Sequence, residues 1–247
     1  MTLGTNKTQE LRRKAAKLNE QFAGLNARQI LSRVINGGVA GRAAVLSSFG
    51  AEAAVLLKLV AEKNPATPVV FLDTRKHFPE TLAYVENLTD ALGLTTLVRA
   101  RPSYGQLAVS DPDGNRHATD PDRCCYARKT LPMISTLRNF DCVLTGRKRH
   151  QTDDRAQMDV VEVQESWLSI NPLADWSLDE VRAYAREMAL PAHPLVSQGF
   201  QSIGCQPCTQ PSEDYRAGRW AGSDKTECGI HITKDGKVRR IGANTNG

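Results

Sequence analysis

Through its first 190 residues the chain alternates short apolar runs with amphipathic stretches, and this alternation limits the fold more than any other feature. Ala43-Ala44-Val45-Leu46, Pro68-Val69-Val70-Phe71-Leu72, Thr95 to Arg99 and Cys142-Val143-Leu144-Thr145 read as strands. Leu11 to Val34, with Leu11, Ala15, Leu18, Phe22 and Leu25 at helical spacing, reads as one amphipathic helix. Further helices are expected over Ala51 to Glu62, Pro79 to Leu92 and Cys125 to Asn139. Ser177-x-x-Glu180 has the capping-box pattern and opens a helix that runs to about Met188. Strands that alternate with helices predict an α/β fold, a mostly parallel twisted sheet with helices on both faces. Beyond Leu190 the periodicity fades into Pro, Gly, Ser and charged residues. Residues 1–190 are therefore read as one α/β domain. Residues 191–247 are read as a loop-rich C-terminal segment tied down by a metal site.

The chain has 247 residues, 40% of them hydrophobic, which is enough for one good core. No apolar run reaches the roughly 18 residues that suggest a membrane span. The N-terminal stretch, polar and mixed in charge, lacks a signal-peptide core. The expectation is a cytoplasmic protein that does not engage a membrane, where paired cysteines serve as metal ligands or redox groups more often than as disulfides. The net charge of +5 is mild, with no run of like charges that would mark a nucleic-acid arm.

In an open parallel sheet, ligands bind where strands end and helices begin. Ser47-Ser48-Phe49-Gly50-Ala51-Glu52 offers hydroxyls, a glycine and helix-start N–H groups, which suit a phosphate or sulfate oxyanion. The plainer reading is a serine-capped turn. Leu72-Asp73-Thr74 could accept from a ribose or an adenine amine, or simply cap the next turn. Thr145-Gly146-Arg147-Lys148-Arg149-His150-Gln151, with Arg155 behind it, places cations at a strand end, as an anion site or a solvated basic loop.

The chain has six cysteines. Cys124-Cys125 and Cys205-Gln206-Pro207-Cys208 together supply four thiolates from two distant segments, a set that tetrahedral zinc or a [4Fe–4S] cluster could accept. Adjacent cysteines diverge, which suits the separated irons of a cluster better than one zinc. A vicinal disulfide or buried free thiols are the bland alternatives. Cys142, inside an apolar run, reads as core. Cys228 stands apart in Glu227-Cys228-Gly229-Ile230-His231, a lone thiol beside an imidazole in a weakly periodic tail.

These pieces, in this order, resemble the assimilatory adenylyl-sulfate reductases, relatives of the phosphoadenylyl-sulfate reductases in the adenine nucleotide alpha-hydrolase-like (PP-loop) group. The resemblance rests on the Ser47 to Glu52 loop, Leu72-Asp73-Thr74, Cys124-Cys125 with Arg128-Lys129, Thr145-Gly146, Cys205-x-x-Cys208, Arg216-Ala217-Gly218-Arg219-Trp220 and the Glu227 to His231 motif. It implies thioredoxin-dependent reduction of adenosine 5′-phosphosulfate to sulfite and AMP through an S-sulfocysteine on Cys228. It further implies one [4Fe–4S] cluster per chain on the four cysteines, and Lys129 bridging cluster and substrate sulfate. Ser47, Ser48, Phe49, Gly50, Glu52, Leu72, Asp73, Thr74, Gly146, Lys148, Arg149, Arg155, Arg216 and Arg219 become substrate-binding residues. Arg216, Arg219 and His231 would favour the Cys228 thiolate, while a surface role for His231 and a packing role for Trp220 are the plainer readings. Ala53, Lys148 and His150 depart from the family pattern in the substrate loops. Thioredoxin or a similar dithiol protein is the implied partner, and a homo-oligomer is compatible with the sequence. The alternatives are a 3′-phosphoadenylyl-sulfate reductase, a PP-loop tRNA-thiolating ATP pyrophosphatase, which should carry an SGGxDS-type loop in place of Phe49-Gly50-Ala51, and a non-catalytic zinc-stabilised binding module.

Overall fold

Four apolar runs become parallel strands in the computed structural model, which describes residues 2–164, 166–215 and 217–220. They are β1 (Ala43–Ser47), β2 (Val69–Leu72), β3 (Leu97–Ala100) and β4 (Cys142–Thr145). A hairpin that the sequence reading missed, β5 (Val161–Gln164) and β6 (Trp167–Ile170), completes a six-stranded sheet in the order β3-β2-β1-β4-β6-β5. β6 joins β4 in parallel, and β5 pairs antiparallel at the edge.

Every residue of β2 and of β4 is buried, as expected for strands covered on both faces. Side chains divide by the two-residue period. Val45, Val69, Phe71, Cys142 and Leu144 enter one core cluster with Leu18, Phe22, Leu57 and Leu88. Ala44, Val70, Leu72 and Val143 enter a second with Met133, Leu137 and Trp167. Each fully buried leucine or phenylalanine contributes about 1.5–3 kcal/mol through burial. Cys142 is core, as its run predicted.

The predicted helix from Leu11 to Val34 is divided. α1 (Thr2–Phe22) stops where Gly24 takes φ 72°, and α2 (Ala27–Leu31) restarts under a capping box of Asn26 and Gln29. The left-handed glycine and the asparagine cap override the helical spacing of Leu25. A π-helical turn, Ser32–Asn36, follows. α3 (Ala53–Ala61) and α4 (Pro79–Ala91) follow β1 and β2. Between β3 and β4 lie α5 (Tyr104–Ser110), α6 (Arg116–Thr119), α7 (Pro121–Cys125) and α8 (Leu131–Leu137). The helix expected over Cys125 to Asn139 therefore starts earlier, and a π-helical turn, Tyr126–Thr130, interrupts it. α9 (Leu178–Glu187) begins at the Ser177–Glu180 capping box.

Residues 191–215 and 217–220 form no long element. Leu195, Phe200 and Ile203 pack with Phe78 in a third cluster, so this segment is fastened near the carboxyl ends of the strands. None of the described helices is long and apolar enough to cross a membrane.

Candidate active site

Connections from β1 run outward through β2 to β3, and the chain then returns to place β4 on the other side of β1. The carboxyl ends of β1 and β4 thus diverge at a topological switch point, where an open α/β sheet forms a crevice. A pocket lies there. Its walls include Ser47, Ser48 and Gly50 after β1, Gly146 and Lys148 after β4, and Ile203 from the C-terminal segment.

The loop after β1 is set by local bonds. Ser47 Oγ accepts the Phe49 N–H at 3.1 Å, and Phe49 sits at φ 49°, fully buried, its ring edge-on to Phe71 at 5.4 Å. Phe49 is therefore the floor of the loop and not a wall of the pocket. A Cβ on Gly50 would lie 3.2 Å from the Ile203 carbonyl oxygen, so the close approach of the C-terminal segment favours glycine here.

Two charged groups cross the crevice. Lys148, with 2% of its side chain exposed, places Nζ 2.7 Å from Glu52 Oε2 and donates to the Gly146 carbonyl at 2.9 Å. Burial opposes ionisation of Glu52, but the Lys148 ammonium outweighs it, and the carboxyl stays below the usual glutamate range. Burial pulls the Lys148 pKa down, and Glu52 offsets part of that pull. Gln151 ties the site together: its amide oxygen accepts the Lys148 N–H at 3.1 Å and bonds the Arg155 guanidinium, and its amide nitrogen donates to Tyr215 Oη at 3.1 Å. Arg155 and Arg219 also line the pocket. Cations that line a polar crevice suit a phosphate or sulfate group.

The remaining predicted substrate contacts are placed differently. Leu72 lines the pocket. Asp73 accepts from Arg101 Nε at 2.7 Å and from the Arg75 N–H at 3.1 Å, outside the pocket wall. Burial raises its pKa, and these donors more than reverse the effect. Arg149 turns outward, pairing with Asp175 and donating to the Met158 carbonyl at 2.8 Å, while Arg147 lines the pocket instead. Thr74 belongs to the cysteines: its Oγ1 lies 3.2 Å from Cys205 Sγ. Tyr215, Gln201 and Ser202 line the pocket without having been singled out in the sequence, because only the folding back of residues 200–215 brings them there.

The four cysteines, 80 positions apart in sequence, line a second pocket with Lys129. Cys124 and Cys125 end α7, whose first turn is capped by Asp120 Oδ1 accepting the Arg123 N–H at 3.0 Å. Cys205 pairs through its backbone with His77, and Cys208 follows on a 3-10 turn. The structure joins none of the five described cysteines in a disulfide. Arg128, on the π-helical turn beside them, bonds Asp111 Oδ2 at 2.8 Å through Nε and the Thr74 carbonyl at 3.0 Å through Nη1. Burial pushes the Cys124 thiol up to about 11 against the pull of Arg128. Among the described residues no three His, Cys, Asp or Glu side chains are drawn in tightly enough to hold one metal ion. What fits a metal group here is the donor set: four soft thiols on one pocket wall, with cationic neighbours to balance them. Cys228, His231 and Arg216 lie outside the described residues.

The two pockets meet on a single segment. Ile203 lines the crevice and Cys205 the cysteine pocket, while Arg219 lines the crevice and stacks on Trp220 at 4.3 Å. The crevice and the cysteine pocket are therefore neighbours along one stretch of backbone.

Known proteins resemble this chain in sequence and in fold. Residues 42–211 match the family model described as the phosphoadenosine phosphosulfate reductase domain. The chain is 45% identical to the adenosine 5′-phosphosulfate reductase of Chelativorans sp. (strain BNC1), covering 88% of this chain and 91% of that one. It is 44% identical to the enzyme of the same name from Mesorhizobium japonicum, covering 89% and 88%. Among solved structures it resembles a phosphoadenylyl-sulfate reductase from Candida auris in complex with phosphate, at 26% identity and a TM-score of 0.67 over 79% of this chain and 96% of that one. Yeast FAD synthetase, at 14% identity and a TM-score of 0.53 over 83% and 76%, shares the fold.

Proposed function

The chain belongs to the phosphoadenosine phosphosulfate reductase domain family, and from that membership we propose that it is an oxidoreductase of sulfate assimilation that reduces adenosine 5′-phosphosulfate to sulfite and AMP. The observation that carries the reading is the meeting of an anion-binding crevice and a four-cysteine pocket on residues 203–205. Two relatives named adenosine 5′-phosphosulfate reductase, each spanning nearly the whole chain, favour this substrate over its 3′-phosphorylated form. Lys148, Arg155 and Arg219 hold the phosphosulfate charge, and the residues after β1 cradle its oxygens. Residues 1–190 supply the nucleotide site, residues 191–247 the second cysteine pair and the nucleophile, in a cytoplasmic enzyme.

The reaction needs a thiol nucleophile, and the resemblance assigns that role to Cys228, the thiol of the Glu227 to His231 motif. Its thiolate attacks the sulfate sulfur, an S–S bond forms, the bond from sulfur to the bridging oxygen breaks, and AMP leaves with the electron pair. A thiolate of a thioredoxin-like dithiol then attacks Cys228 Sγ, and sulfite departs with the S–S bonding pair. The second thiol closes a disulfide on the donor and restores Cys228. The sulfur gains two electrons from the dithiol, and two thiol protons are released. Arg216, Arg219 and His231 favour the Cys228 thiolate by their charge or hydrogen bonding.

Cys124, Cys125, Cys205 and Cys208 would hold a [4Fe–4S] cluster, which would supply a charged group beside the sulfate site while the dithiol supplies the electrons. Lys129, on the wall of the cysteine pocket, carries positive charge to the sulfate end of the substrate. Sulfite release from adenosine 5′-phosphosulfate with a thioredoxin system tests the assignment. Turnover of ATP with release of pyrophosphate, and no sulfite, would overturn it.

A further inference from the structure

The cysteine pocket is lined by one more side chain whose hydrogen-bonding group has no use in the reading so far. His117 is part of its wall, and His117 Nδ1 is buried with no hydrogen-bond partner. A polar atom taken out of water without a partner is destabilising, so such atoms point to a group that satisfies them.

The short helix that carries His117 is tied to its neighbours. Asp111 accepts the Arg116 N–H at 2.9 Å through Oδ1, and the same carboxylate bonds Arg128 through Oδ2 at 2.8 Å. Arg116 Nε donates to the Ser110 carbonyl at 2.8 Å. Asp120, which ends α6, caps α7 and accepts the Cys124 N–H at 3.0 Å through its own carbonyl. α6, which carries His117, and α7, which carries Cys124 and Cys125, are thus parts of one hydrogen-bonded frame. Arg128, a buried cation on the same pocket wall, is committed to Asp111 and Thr74.

We propose that His117 is a positioning residue for the group held by the four cysteines, donating its Nδ1–H as the neutral tautomer to a sulfur of that group. The inference rests on the [4Fe–4S] reading. A donor to sulfur draws electron density from it, weakens the iron–sulfur bonds and stabilises the reduced state, so it raises the reduction potential. It also fixes the imidazole tautomer.

Anaerobically purified wild type, His117→Phe and His117→Asn test it, since asparagine places an amide N–H near the position of Nδ1. Iron and acid-labile sulfide come first, then resonance Raman spectra in H2O and D2O, then a redox titration. In His117→Phe the iron–sulfur stretches should move to higher frequency, respond less to D2O, and accompany a lower midpoint potential, while His117→Asn stays near wild type. Loss of iron from His117→Phe with retention in His117→Asn would support the same donor. Spectra and potential of His117→Phe equal to wild type would overturn the proposal and leave the cluster standing. Loss of the cluster from both variants alike would assign the ring to packing and overturn it too. A wild type without iron or labile sulfide would overturn the cluster reading and this proposal with it, a failure visible in the metal content alone.

Discussion

Lys148 Nζ lies 2.7 Å from Glu52 Oε2, so a single ion pair joins the loop after β1 to the loop after β4. It spans the switch point of the sheet, and both residues line the crevice. The pair fixes the width of the site and leaves Arg155 and Arg219 to supply further positive charge.

Glu52→Gln removes the anion from a nearly buried ammonium and should cost about 3 kcal/mol of stability, the usual effect of orphaning a buried charge. Lys148→Met should weaken AMP binding by roughly tenfold, equivalent to about 1.4 kcal/mol. Denaturant melts and calorimetric titration with AMP check the two. Unchanged AMP affinity in Lys148→Met would remove Lys148 from the anion site.

Stability should depend on pH through His193. Its Nδ1 accepts the Leu195 N–H at 3.2 Å, so Nε2 carries the proton and donates to Thr81 Oγ1 at 2.9 Å. Burial lowers its pKa from the ordinary 6.5 to about 4. The unfolded chain takes up this proton below pH 6.5 and the folded chain not until about pH 4, so stability is unaffected above the first value and falls between the two. Thermal melts of His193→Gln should show a shallower decline across that window than wild type.

Each of Cys124→Ser, Cys125→Ser, Cys205→Ser and Cys208→Ser should lose the brown colour and the labile sulfide. Cys142→Ser, in the core of β4, should keep both. Stoichiometric zinc without iron in the wild type would contradict the cofactor assignment.

Substrate choice should favour adenosine 5′-phosphosulfate. A tenfold or greater advantage in kcat/KM over the 3′-phosphorylated form corresponds to about 1.4 kcal/mol or more of differential transition-state binding. Equal turnover of both would move the enzyme to the other branch of its family.

Continuous apolar runs made β1, β2 and β4 legible, because strands buried on both faces have no polar alternation to obscure them. The Ser177–Glu180 box was legible for the same local reason. The β5–β6 hairpin was not: Glu162 and Gln164 interrupt the apolar character of β5, and Ser169 that of β6. The break in the helix expected over residues 11–34 depends on the backbone of Gly24, which leaves no trace in apolar spacing. Asp73 carries the expected carboxylate at a strand end, but its cations, Arg99 and Arg101, come from β3 and just beyond it, a tertiary neighbourhood that sequence does not display. Arg147 and Arg149 look equivalent in sequence, and only the path of the turn decides which one faces the crevice.

The central claim is that Cys228 receives the sulfonate. Wild-type enzyme incubated with adenosine 5′-phosphosulfate and no reductant, then digested and weighed, measures this directly. The account predicts one added SO3 on the Cys228 peptide, removed by reduced thioredoxin with release of sulfite, and no adduct or turnover in a Cys228→Ser variant that still holds iron and binds AMP. An adduct on Cys142, or near-normal sulfite release by Cys228→Ser, would contradict it.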